Sequence, residues 1–177
     1  MKLYCDDIVY FAKTHPDGVI PSKRVEDGCY DLYSCFEEDY LVIMPHETKF
    51  IPTGIASAFS DKWMLLLQER GSTGSKGIAL RCGVIDSGFR DEIFIALTNV
   101  NNVPVVIVKE AVDEKWLKAE VLKLPVSSKV IFYPYRKAIC QGALVEVPKV
   151  EIREIPYDDL KKISSERGLG KLGSSNK

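Results

Sequence analysis

Short apolar runs, each closed by turn residues, recur through the first hundred positions. Ile8–Phe11, the stretch that starts at Asp27–Ser34, and Tyr40–Met44 read as strands. Lys49–Ala56 reads as another, kinked at Pro52 or Gly54. Trp63–Gln68 is continuously apolar up to its last residue, the pattern of a strand buried on both faces. Val84-Ile85 ends on Asp86; a Ser87-Gly88 turn signal and the aromatic Phe89 lead into Ile93–Leu97. That arrangement reads as a hairpin holding an acid rigidly at a strand end, with a planar ring three residues later.

After residue 100 the rhythm changes. Val105–Val108 is strand-like, but 112–122 reads as a helix, with Leu117, Val121 and Leu124 at i, i+4 and i+7 and Pro125 stopping it near 123. Val130–Tyr133 and Ala138–Val147 return to strand character. The expected fold is all-β, an antiparallel sandwich or barrel rather than alternating βαβ units. No internal repeat or low-complexity tract interrupts it. The chain divides into one β domain, 1–163, and a Gly/Ser-rich C-terminal arm, 164–177.

Composition narrows the class. Of 177 residues, 46% are hydrophobic and 28% charged, as in a soluble globular protein large enough for a real core. A formal net charge of −1 supplies no basic field, which argues against nucleic-acid binding. No apolar run reaches the roughly 20 residues of a membrane helix. The first residues lack the apolar core of a signal peptide, so a cytoplasmic location is expected. Five cysteines without a Cys-x-x-Cys pair point to buried free thiols rather than a disulfide framework or zinc site. With two histidines, a hard divalent ion would rely on carboxylates and substrate oxygens, which suits magnesium.

Two polar stretches carry candidate chemistry. Arg70–Gly77 combines cations, hydroxyls and three glycines, the ingredients of a phosphate cradle. Asp86 supplies a carboxylate base and Phe89 a ring that stacks or excludes. In the tail, Arg167–Ser175 carries three glycines with cations and adjacent serines, whose backbone amides would wrap phosphates.

Five stretches, in order, resemble the five motifs of the trimeric deoxyuridine triphosphatase (dUTPase) family. They are Asp27–Tyr33, Arg70–Ile78, Gly83–Glu92, Ala138–Gln141 and Arg167–Ser175, the third being the most specific. The resemblance implies a β-clip, jelly-roll-like protomer with a short helical insertion and a flexible arm that closes the active site. It also implies a homotrimer with shared sites and Mg²⁺-dependent hydrolysis of dUTP to dUMP and pyrophosphate. Asp86 then matches the water-activating base, and Phe89 replaces the tyrosine beneath the deoxyribose. Asp31 matches the acid that holds Mg²⁺, largely through water. Arg70, Gly71, Ser72 and Gln141 match the phosphate site, and the Arg81, Gly83 and Val84 backbone matches the uracil-reading hairpin. Arg167 matches the arm arginine, Leu172 its stacking position, and Gly173, Ser174 and Ser175 its γ-phosphate lid.

The chain departs from the family pattern at several places. Cys29 stands for a glycine, Gly71 for the phosphate-contacting serine (with Ser72 next), Ala138 for an arginine, Leu172 for the stacking phenylalanine and Asn176 for the final glycine. Residues 101–130 form an insertion between the third and fourth motifs, implying a phage- or prophage-type member acting in a host cytoplasm. That segment is expected to be dispensable for chemistry and to cover an apolar patch, or else to dock a protein partner. Two rival functions are a dCTP deaminase of the same fold and a nucleotide-switched regulatory protein. The deaminase's glutamate would fall ten residues after Asp86, where Ala96 stands.

Overall fold

A computed structural model describes residues 7–110, 112–166 and 168. Twelve strands appear in it: β1 (Tyr10–Lys13), β2 (Tyr30–Leu32), β3 (Tyr40–Ile43), β4 (Thr48–Pro52), β5 (Ile55–Ala58), β6 (Trp63–Gln68), β7 (Ile78–Arg81), β8 (Val84–Ile85), β9 (Phe94–Asn99), β10 (Val105–Val108), β11 (Ile131–Pro134) and β12 (Cys140–Glu146). The short helices are α1 (Gly71–Gly74), α2 (Glu114–Trp116), which continues as a π-helical turn over Leu117–Val121, and α3 (Tyr157–Leu160).

The strands form four small sheets, ordered β1-β5, β11-β10-β3, β2-β12-β6-β8 and β4-β9-β7. Their inward faces share one core, which includes Leu32, Ile43, Ile51, Leu65, Ile95, Leu97, Val105, Ile107 and Tyr133. The fold is mostly β, as expected. Pairing is antiparallel throughout except between β10 and β11. Buried Asn99 ties β9 to β3: its amide donates to the carbonyls of Ile43 (3.0 Å) and Val103 (2.9 Å). Within an apolar interior such a polar group has to be satisfied, and here it crosslinks two sheets.

Several expectations change in detail. The Lys49–Ala56 run is two strands in different sheets, because Gly54 breaks it at φ +66. There the chain packs tightly, since a Cβ on Gly54 would lie 2.8 Å from the Cys35 sulfur. β6 is not buried on both faces: Leu65 and Leu67 are buried, whereas Met64 and Leu66 are half-buried. The polar stretch after Arg70 folds into α1, and β7 follows it, a strand the apolar pattern does not announce. β8 and β9 do not form a hairpin; β8 pairs with β6, and β9 with β4 and β7. Of the free thiols, Cys35 and Cys140 are buried but Cys82 is exposed. It sits at the corner between β7 and β8, where φ is +53.

The insertion also needs redrawing. β10 lies inside it, yet Val105, Val106 and Ile107 are completely buried between β3 and β11. The part outside the sheet therefore begins after Val108. Because β10 and β11 are parallel, residues 109–130 are the crossover that returns the chain to the start of the sheet, and a tight turn cannot do this. Asp113 caps the helical part by accepting from the amides of Lys115 and Trp116. Leu117 is fully buried, while Val121 and Leu124 are half-buried.

The compact β unit is Met1–Val147, and Pro148–Lys177 forms a second unit, a boundary earlier than residue 163. Taken by itself, the second unit holds α3, a Glu151–Arg153 ion pair at 2.8 Å, and exposed Val150 and Ile152. Among the described residues, no helix is long and apolar enough to cross a membrane.

If the crossover is integral to the β unit, Leu117→Ala should cost about 2–5 kcal/mol in urea unfolding, the usual range for truncating a buried leucine. A loss below about 1 kcal/mol would show the segment to be detachable. Replacing 109–130 by a tight turn should abolish folding, whereas a Gly/Ser crossover of about a dozen residues should preserve it.

Candidate functional site

The site is built on the sheet β2-β12-β6-β8. Asp31 lies on β2, Gln141 on β12 and Gln68 on β6, directly opposite one another in register. Chain direction then places Glu69 and Arg70 immediately beyond β6. Arg70 turns back to meet Asp31 in a bidentate pair, Nε to Oδ1 at 2.9 Å and Nη2 to Oδ2 at 3.1 Å. Its Nη1 donates to the Ala138 carbonyl (3.3 Å) and to Ser72 Oγ (3.4 Å). Four of the five guanidinium N–H groups are thus engaged by protein.

The surroundings hold that guanidinium in place. Buried Thr73 accepts from the Arg70 amide (3.0 Å) and donates back to its carbonyl (3.0 Å), which fixes the first turn of α1. Gln141 Nε2 donates to the Glu69 carbonyl at 2.8 Å. Tyr133, fully buried, donates to the Ala138 carbonyl at 2.7 Å, and its hydroxyl lies 3.3 Å from Ser72 Oγ. Ala138 is buried, so the fourth-motif position contributes a carbonyl and no cation. Beneath the sheet, burial pushes the Cys140 thiol up to about 12, so it is an inert core group.

Asp31, Arg70 and Gln141 open onto one cavity of about 700 Å³. The loop 22–29 forms its other wall, including Lys23, Arg24, Asp27 and Cys29. The sequence did not single out Lys23 or Arg24; they read as ordinary turn cations between Pro21 and Gly28.

Asp86 is elsewhere. Ile85 pairs with Leu65 and Val84 with Leu66, so Asp86 comes level with Met64, four positions back along β6 from Gln68. With about 3.3 Å per residue and about 4.8 Å per strand, Asp86 and Asp31 are roughly 20 Å apart in one chain. The turn bearing Asp86 is well fixed: the Phe89 amide donates to the Asp86 carbonyl (3.1 Å), and Arg90 Nη1 donates to the carbonyls of Ser87 and Phe89. Glu92 accepts from the Gly54 amide at 2.7 Å, anchoring the segment that follows. Asp86 and Phe89 are both exposed.

Arg81, Gly83 and Val84 make the corner between β7 and β8, not a hairpin arm. Gly83 passes so close to β6 that an added Cβ would lie 2.6 Å from the Leu67 carbonyl. Its own carbonyl accepts from the Leu67 amide at 2.6 Å. β8 is the last strand of its sheet, and an edge strand directs half its backbone groups outward. Arg167, Leu172, Gly173, Ser174 and Ser175 lie outside the described residues.

Among the described residues, no three His, Cys, Asp or Glu side chains converge as a metal cage. Asp31, a carboxylate facing a polar cavity that Glu26 and Asp27 also line, nonetheless fits magnesium. That ion keeps several waters and is held by one or two carboxylates together with phosphate oxygens.

Two viral Pol polyproteins share the region. The chain is 33% identical over 99 residues to that of caprine arthritis encephalitis virus, covering 56% of this chain and 8% of that one. The chain spans less than a tenth of that polyprotein, and likewise of one from ovine maedi visna related virus. A deoxyuridine 5'-triphosphate nucleotidohydrolase of Nautilia profundicola is 28% identical over 169 residues, covering 93% of this chain and 96% of the relative. In fold, the chain resembles the dUTPase of Staphylococcus bacteriophage 80alpha, solved as a G164S mutant with dUpNHpp. The TM-score is 0.71 at 19% identity, over 96% of this chain and 98% of that one. The dUTPase family model matches residues 17–111, more than half of the sequence, and the chain therefore belongs to the dUTPase family.

Proposed function

We propose that the protein hydrolyses dUTP to dUMP and pyrophosphate, in active sites shared between the subunits of a homotrimer. The observation that carries this reading is the split of the motif residues over one sheet. Asp31, Arg70 and Gln141 converge on a cavity, while Asp86 stands at the other end of β8. Neither half suffices alone, because a general base has to reach its proton directly or through one water. A second copy, presenting its Asp86 to this cavity, completes the set. The outward face of β4 and β9 supports assembly, since Phe50 and Phe94 are 60% and 45% exposed as neighbours on one sheet surface. Apolar rings placed like this are better covered by another subunit than by water.

In the completed site Asp86 takes a proton from water as the water oxygen attacks the α-phosphorus. The P–O bond to the β-phosphate breaks and pyrophosphate leaves. Gln141 and the guanidinium edge of Arg70 orient the phosphate chain, positioning that replaces a costly bimolecular encounter. Asp31 would hold Mg²⁺ through water; when bound, the ion offsets phosphate charge. The outward backbone of Gly83 and Val84 reads the uracil edge, rejecting bases whose donors and acceptors would be left unpaired. Phe89 lies against the deoxyribose and excludes a 2'-hydroxyl sterically. Arg167 and Gly173–Ser175 would supply further contacts to the triphosphate. Deamination of dCTP is disfavoured because Ala96, where that chemistry needs a glutamate, is a buried residue of β9.

Asp86→Asn should keep the fold and nucleotide affinity but lower kcat by about 10²–10⁴, the contribution of a general base. Turnover near that of the wild type, by pyrophosphate release, would remove Asp86 from the role. Sharing of sites has its own test. Mixing inactive Asp86→Asn protein with inactive Arg70→Gln protein under subunit exchange should restore activity, because some sites then combine an intact Asp86 with an intact Arg70. No recovery despite exchange proven by mass spectrometry, or a monomer by light scattering, would contradict the shared site.

A further inference from the structure

The cavity holding Asp31, Arg70 and Gln141 lacks free positive charge on its motif side. Arg70 is neutralised by Asp31, and its Nη1 protons go to Ala138 and Ser72. Ala138 brings no cation, and Arg136 lines a different cavity, 3.9 Å from Glu110. A triphosphate, with several negative charges, needs more than this.

The opposite wall brings two cations, set beside the carboxylates of Glu26 and Asp27. The Asp31 amide donates to the Ser22 carbonyl (2.9 Å), so the two residues that follow Ser22 leave directly from the partner of Asp31. Those residues are Lys23 and Arg24, and both line the cavity. Buried Pro21 anchors the loop from below. Lys23 Nζ donates to the Asp27 carbonyl at 2.7 Å and lies 5.6 Å from the centre of the Tyr30 ring. Arg24 holds Asp27 in a fork, Nε to Oδ2 at 2.9 Å and Nη2 to Oδ1 at 3.0 Å. Its side chain is 88% exposed, and an ion pair so open to water is weak and readily exchanged. Hydrogen bonding and charge from Asp27 hold the Arg24 guanidinium above its ordinary pKa, and Asp31 contributes a smaller part, so Arg24 lies within electrostatic reach of the site carboxylate.

We propose that Lys23 and Arg24 bind the phosphate chain of the nucleotide, Arg24 exchanging its fork with Asp27 for one with phosphate oxygens. The assignment rests on the nucleotide-hydrolase reading above. Asp27 is then a placeholder that keeps the guanidinium extended and aimed until substrate arrives. A cavity of about 700 Å³ has room for a nucleotide's phosphates.

Calorimetric titration of the full-length protein with α,β-imido-dUTP and with dUMP, in magnesium buffer, tests the assignment. The double variant Lys23→Ala/Arg24→Ala should lose roughly tenfold or more in affinity for the imido analogue, as expected for removed charge-assisted bonds, and bind dUMP as the wild type does. Asp27→Asn should tighten the analogue by releasing Arg24. Unchanged analogue affinity in the double variant overturns the proposal. So does an equal loss for analogue and dUMP, or weaker analogue binding by Asp27→Asn. A wild-type protein that hydrolyses dUTP while the loop variants bind normally defeats this assignment alone. A wild-type protein that binds no analogue defeats both this and the hydrolase reading.

Discussion

The bidentate pair between Arg70 and Asp31 is the interaction on which the site depends. β2 and β6 do not touch; β12 lies between them, and Gln141 is in register with both Asp31 and Gln68. Arg70 reaches across β12 from the end of β6 and closes on Asp31, so three separate stretches are fixed by one planar group. Its remaining contacts reach Ser72 and the Ala138 carbonyl, and the latter also receives the hydroxyl of buried Tyr133. A lysine could not replace it, because a point charge cannot satisfy two carboxylate oxygens and a carbonyl in one plane.

This arrangement explains why Ala138 is tolerated in the fourth motif. The position faces inward and serves through its backbone carbonyl, which any residue provides. What the site gives up is a cation, and Lys23 and Arg24, on the loop that follows the Ser22–Asp31 bridge, are cations lining the same cavity.

Much of this was legible in the residues. Alternation and turn signals located most strands, Arg70 stood out within a polar, glycine-rich stretch, and Asp31 and Gln141 were separable through the motif resemblance. Partners were not legible. Nothing in Ile78–Arg81 distinguishes a strand from the end of a polar loop, and Val84-Ile85 resembles one arm of a hairpin because periodicity does not record which sheet a strand joins. The crossover is the clearest case. An apolar run at 105–108 and another at 131–133 look the same whether their pairing is parallel or antiparallel, yet parallel pairing turns the intervening segment from ornament into a necessary connection. Lys23 and Arg24 escaped notice because two cations in a turn are commonplace; only the bridge from Ser22 to Asp31 shows which cavity they face.

Strand register makes the separation of Asp86 from the phosphate cavity a rigid property of the chain. Asp86 is tied to its turn, the turn to Arg90, and Glu92 to Gly54, while Asp31 is tied to Arg70 on the far side of the same sheet. No loop closure within one chain can remove roughly 20 Å fixed by a hydrogen-bonded sheet. With Asp86 as the proposed base, base and phosphate site have to meet across an interface, and whatever orients one subunit against the next also sets the distance between base and α-phosphorus. Substitutions on the Phe50–Phe94 face would then alter catalysis without touching a reacting atom, because a small misplacement of the base costs as much as a change in its chemistry. In such a protein the apolar surface that holds the subunits together is part of the catalytic geometry.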